Sequence, residues 1–175
     1  MALWQASQLL YPGPIAAFHD VSFASTTAVL FGDFVVPAAL AVGDLVEMVC
    51  LPTNYVPVDL VAAFEAVGTT ATVDIGMLSG NCGALLDATL AARLMAGNEF
   101  IAAANVAAPG IVRPTKKDFA LLAPVAPDAS LTPPNVVQIT GDRGVGFKVL
   151  AGLAGLVTGA KVRFTLTARP RINGV

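Results

Sequence analysis

The chain predicts an all-β fold, an antiparallel β-sandwich or jelly roll with an extended N-terminal arm, and three observations carry that prediction. Apolar residues recur with a period of two in several short segments, as they do when one face of a strand is buried. The 16 Gly and 12 Pro residues punctuate those segments at turn-like intervals. No long stretch sustains helical spacing, and no repeat of fixed period runs through the 175 residues. The length is that of one domain, which divides into an arm at 1–20 and a sandwich at 21–175 with a Pro-rich loop at about 107–135.

In the arm, Leu3, Trp4, Leu9, Leu10 and Tyr11 precede Pro12-Gly13-Pro14, a run that neither continues a helix nor pairs in a central strand. The arm either reaches away from its own domain or adds an edge strand to it. Alternation begins at Val21, Phe23, Ser25 and Thr27, and the run Val29 to Val36, broken by Gly32-Asp33 and closed by Pro37, reads as two short strands. Val42 to Leu51 follows. From Pro57 to Val67, the set Val58, Leu60, Ala62, Phe64 and Ala66 opposes Asp59, Val61, Ala63, Glu65 and Val67. Across Gly68-Thr69-Thr70 lies Ala71 to Leu78, with Val73, Ile75 and Met77 on one face, so the two segments read as a hairpin.

Leu85 to Val106 is Ala-rich, with Leu86, Leu90 and Leu94 at helical spacing. A short helix or coil ending before Gly97, then a strand from Glu99 to Val106, fits it best. Pro109-Gly110 opens the Pro-rich loop, with brief strands expected at Phe119 to Leu122 and Val136 to Thr140. Val145 to Leu150 and Lys161 to Ala168 read as a closing hairpin. In its last strand Val162, Phe164, Leu166 and Ala168 alternate with Lys161, Arg163, Thr165 and Thr167.

Composition narrows the function. Hydrophobic residues make up 55% and charged residues 13%, with a mean hydropathy of +0.73. A spanning helix needs roughly 18 to 20 consecutive apolar residues, and the longest charge-free stretch, Met1 to His19, is broken by polar residues and the Pro turn. No membrane role is expected. The start also lacks the basic end and apolar block of a secretory signal, which predicts that the protein stays where it is made. Such a composition asks for partner surfaces, hence a homo-oligomer. Cys50 and Cys82 lack metal-ligand spacing and are expected to be reduced core residues.

Charge is segregated. Nine acidic residues and one basic, Arg93, give −8 up to Val112; nine basic and three acidic residues give +6 from Arg113 onward. The halves either pair within one subunit or dock neighbouring copies or a larger surface. Nucleic acid is not an expected partner, because the pI is near 5.2 and no aromatic residues interleave with the basic ones.

Catalytic, metal and cofactor sites are not expected. The single histidine, His19, adjoins Asp20, and neighbours on a strand face opposite ways, so the two do not orient each other. Asp59 and Glu65 are too far apart along one strand for an acid/base pair. Gly141-Asp142-Arg143-Gly144-Val145-Gly146 has neither phosphate-loop order nor a following helix, and reads as a turn into a strand.

Val42-Gly43-Asp44-Leu45-Val46-Glu47-Met48 through Leu51-Pro52, then Val58 to Ala66, then Thr72-Val73-Asp74-Ile75-Gly76, resembles small virion proteins of tailed bacteriophages. The segment Gly146-Phe147-Lys148-Val149, with Leu156 to Leu166, is similar to the last hairpin of that group. The resemblance covers residues 40–80 and 143–168. It implies a capsid decoration or cement protein: a noncatalytic sandwich, favoured as a trimer, that binds the major capsid protein on the outside of the shell after assembly in the host cytoplasm. On that reading Trp4, Leu9, Leu10, Tyr11, Arg163, Arg169 and Arg171 are the candidate contacts. The alternatives are a head fibre, tail or adaptor protein, and, further off, a carbohydrate-binding jelly roll, which one Trp and two Tyr supply poorly.

Overall fold

The computed structural model describes residues 3–5, 27–52, 55–86, 92–95, 100–114 and 142–170. Among them are strands β1 (Leu3–Gln5), β2 (Ala28–Val35), β3 (Leu45–Leu51), β4 (Tyr55–Phe64), β5 (Thr72–Asn81), β6 (Ile101–Asn105), β7 (Gly110–Val112), β8 (Arg143–Ala151) and β9 (Lys161–Pro170). They form a five-stranded sheet in the order β1-β3-β8-β5-β6 and a four-stranded sheet in the order β2-β9-β4-β7. The fold is all-β, as the period-two pattern predicts.

The pairings follow one rule. β2 pairs with β9, β3 with β8, β4 with β7 and β5 with β6, each antiparallel. Strands β2 to β5 thus run against β6 to β9 as a single long hairpin whose tip joins β5 to β6. Rolled up, the hairpin brings β4 against β9 and β5 against β8, and the result is a jelly roll. β1 departs from the antiparallel scheme: Leu3, Trp4 and Gln5 lie parallel to β3, opposite Leu45, Val46 and Glu47. The beginning of the expected arm is therefore an edge strand of the same sandwich. Leu9, Leu10 and Tyr11 lie outside the described residues.

The alternation read from β9 holds: Val162, Phe164, Leu166 and Ala168 are buried, and Lys161 and Arg163 are exposed. On β4 it holds from Leu60 to Phe64, but a bulge between Pro57 and Asp59 shifts the register, so Pro57 is buried and Val58 only partly. Between the sheets, Phe147 meets Phe34 and Phe64 edge to face at 6.1 and 5.7 Å, and Phe64 meets Phe164 at 6.0 Å. These rings draw both sheets into one core.

Both expected hairpins are corrected. β4 lies in the four-stranded sheet and β5 in the five-stranded one, and β8 and β9 are divided the same way. The connections at 65–71 and 152–160 are arches from sheet to sheet rather than tight turns. The arches brace each other, because Thr69 donates from its amide (3.0 Å) and its hydroxyl (2.7 Å) to the Ala154 carbonyl, and the Val157 amide donates to Val67 (3.0 Å). Alternation reports which face of a strand is buried, and an arch buries the same face as a hairpin does.

Two further expectations change, and where the sequence allows a short helix or coil before Gly97 the described residues are coil. Gly110–Val112, placed by sequence in the Pro-rich loop, forms an edge strand beside β4; the brief strands expected at 119–122 and 136–140 lie outside the described residues. The described part of 85–96 contains no helical turn, only antiparallel bridges from Leu86 to Ala92 and from Leu78 to Met95. Finally, β2 runs unbroken through Gly32-Asp33. Gly32 faces β3, and a methyl group there would overlap the Met48 carbonyl oxygen, so this glycine permits close backbone approach instead of ending a strand. Gly32→Ala should therefore destabilise the fold by about 1 to 3 kcal/mol through overpacking, measured as a lower urea midpoint at unchanged slope.

Candidate functional site

The two outer faces of the sandwich are treated differently. On the five-stranded sheet, the core-facing residues Val46, Met48 and Leu51 of β3 are buried, but so are Leu45, Glu47 and Cys50 on the opposite side. The cover is the chain itself. After β5 it turns back, and Arg93 descends on the Glu47 carboxylate, its Nη2 2.5 Å from Oε1, with both side chains withdrawn from solvent.

Every charged atom in this pair is used. Arg93 donates from Nε to the Ser79 carbonyl (2.6 Å) and from Nη1 to the Ala84 carbonyl (3.0 Å), while the Gly83 amide donates to Glu47 Oε2 (3.0 Å). The Leu94 amide donates to Ser79 Oγ (2.8 Å), and the Ser79 amide returns a bond to the Leu94 carbonyl (2.7 Å). Such saturation is what makes a buried ion pair tolerable.

Two of the glycines of 141–146 find their reason here. A methyl group on Gly144 would overlap Glu47 Oε1 and crowd Arg93 Nη2, so this glycine makes room for the ion pair. Gly146 lies opposite Glu47 on β3, and a methyl group there would overlap the Val46 carbonyl oxygen, so it permits close approach of the two backbones. Both lie within β8.

The cysteines are not reduced. Cys50 and Cys82 form a disulfide, with Cα atoms 5.6 Å apart and 32 residues of separation, and the Cys82 amide donates to the Asp142 carbonyl at 2.8 Å. Sequence separation had hidden what the fold-back of the chain after β5 brings together.

Among the described residues, none covers the outer face of the four-stranded sheet in this way. On β2, Val29, Phe31 and Val35 are 58 to 63% exposed, and Ile111 of β7 is 69% exposed. Strand register aligns Asp33, Arg163, Ala63 and Ile111 in one row across the face, and Phe31, Thr165 and Val61 in the next. Arg163 clasps Asp33 through Nε–Oδ1 (2.6 Å) and Nη2–Oδ2 (2.8 Å). The hydrogen bond to Asp33, and then its charge, raise the guanidinium pKa above its ordinary value. Arg113 lies 3.7 Å from Asp59, and the Lys161 amide donates to Glu65 Oε2 at 2.7 Å. At these positions the acidic first part and the basic last part pair within one subunit.

Of the candidate contacts, Trp4 stands in β1 opposite Val46, and Arg163 and Arg169 share the outward side of β9. Leu9, Leu10, Tyr11, Arg171 and His19 lie outside the described residues. Sequence reading missed the Glu47–Arg93 pair and the disulfide. The available signal was Arg93, the only basic residue in the first 112, at the centre of an otherwise uncharged stretch.

The described residues thus define a jelly roll with one face covered by its own chain and, on the other, exposed apolar side chains. No protein-family model and no curated protein matches the chain. It is similar to a chain of the solved capsid of Ralstonia phage GP4, with 27% identity, a TM-score of 0.69, and coverage of 98% of this chain and 99% of that one. It shares its fold with a chain of the cyanophage Pam1 capsid asymmetric unit, at 17% identity and a TM-score of 0.56, over 85% of this chain and 87% of that one.

Removing one partner of the ion pair, as in Arg93→Met, should cost about 3 to 5 kcal/mol, because Glu47 would stay buried and uncompensated. Replacing both residues by apolar ones should restore much of the loss in chemical unfolding. Reduction of the disulfide, or Cys50→Ala with Cys82→Ala, should cost about 3 to 4 kcal/mol by loop-closure entropy, seen as a melting temperature that falls when dithiothreitol is added to the wild type but not to the double variant.

Proposed function

We propose that the chain is a noncatalytic structural component of a phage virion, and within it a cement or decoration protein that binds the major capsid protein on the outside of the shell. The observation that carries this reading is the likeness to a capsid chain over 98% of this chain and 99% of that one. The correspondence runs over nearly the whole of both chains. The disulfide supports an outer position, since such bonds persist on virion and cell surfaces and are rare in a reducing cytosol. In this reading the two thiols give up two electrons and two protons to dissolved oxygen once the particle leaves the host cytoplasm, and the S–S bond forms.

The N-terminal residues Trp4, Leu9, Leu10 and Tyr11 grip the shell, with Arg169 and Arg171 beside the end of β9 supplying positive charge. Arg163, held by Asp33, belongs instead to the open sheet face.

The test is sedimentation of purified heads with added chain, read beside surface biotinylation of intact particles. Cosedimentation with tail-free heads and labelling from outside are expected. Deletion of residues 1–14 should leave the melting temperature within a few degrees and weaken head binding about tenfold or more. Recovery only with tails or fibres would transfer the role to those structures, and absence from particles would end the virion reading.

A further inference from the structure

We propose that the open face of the four-stranded sheet, centred on Phe31 and the Asp33–Arg163 pair, is where copies of this chain associate. The face departs from the rule for a solvated sheet, whose outward positions are polar. Along β2 the outward residues are Val29, Phe31, Asp33 and Val35, and the three apolar ones are more than half exposed. Ile111 carries the same character to the opposite edge, with Val61 and Ala63 between.

The charges on this face suit a partner that bears the same face. Arg163 and Asp33 satisfy each other through two hydrogen bonds, and Arg113 approaches Asp59. Covering these pairs leaves each ion beside its partner. The face also fits an exchange, because Asp33 of one copy can meet Arg163 of the next when the two faces oppose each other.

Size agrees. Strands of 8, 10, 10 and 3 residues, spaced about 4.8 Å apart, present a projected area on the order of 500 Å², comparable to the roughly 800 Å² of accessible surface that each partner gives to a standard interface. The opposite face cannot serve in this way, since the ion pair and the disulfide already hold the chain's own segment across it. Two such faces can meet across a twofold axis, and three can line a threefold axis.

Analytical ultracentrifugation of the full chain at micromolar concentration tests the inference without any phage component, so it stands or falls separately from the virion reading. A mass that is a multiple of 17.8 kDa is expected. Phe31→Glu should raise the dissociation constant at least about tenfold with little change in melting temperature, because this side chain is already exposed within the subunit. Ile111→Glu, at the far edge of the same face, provides the same reading should the first variant fail to fold. Leu86→Glu, on the covered side, should leave the mass unchanged. A monomeric wild type overturns the proposal, including the case in which Phe31→Glu abolishes binding to heads, which would make the shell the occupant. An assembly that resists both face variants but yields to Leu86→Glu overturns it equally.

Discussion

A guanidinium and a carboxylate held out of water against the outside of a β-sheet organise much of this molecule. Glu47 and Arg93 each lose hydration on folding, and the loss is tolerable because each charged nitrogen and oxygen has a partner in the other residue or in the backbone. The pair dictates its surroundings. It requires room on the neighbouring strand, hence Gly144 on β8, where a Cβ would overlap the carboxylate. It also requires the chain after β5 to turn back over the sheet, which brings Cys82 to Cys50 and closes the disulfide.

With one face of the sandwich covered by the chain itself, the exposed apolar side chains of β2 and β7 lie on the other. The rolled-hairpin topology divides the strands so that β2, with its outward Val29, Phe31 and Val35, lies at the margin of the uncovered sheet. Charge patterning contributes less to docking than the segregation of acids and bases along the chain suggests. At Asp33–Arg163 and Asp59–Arg113 the two signs already neutralise each other within a subunit, at exposed pairs whose worth in high dielectric is small. What remains on that face is apolar surface carrying locally balanced charge.

The architecture and the comparison support each other. A jelly roll is a fold of many functions, viral shells and lectins among them, so topology alone does not choose a role. The near-complete mutual coverage with a phage capsid chain narrows the choice, and the disulfide adds a chemical reason to place the chain where oxidant is available.

The sequence by itself determined the all-β class, the buried faces of β4, β5 and β9, and the absence of any legible catalytic motif. All of these rest on local quantities: the period of apolar residues, the placement of Gly and Pro, and the spacing of reactive side chains. Only the tertiary structure decided that β4 and β5, like β8 and β9, lie in opposite sheets. Burial of a strand's inner face is the same whether its sequence neighbour sits beside it or across the core from it. The same limit hid the cysteine pairing across 32 residues and the meeting of Glu47 with Arg93 across 46. It also concealed the purpose of Gly32 and Gly144, which read locally as breaks or turns yet lie within strands where another group approaches too closely for a Cβ. Non-local contacts are set by how the long hairpin rolls, and that is a property of the whole chain.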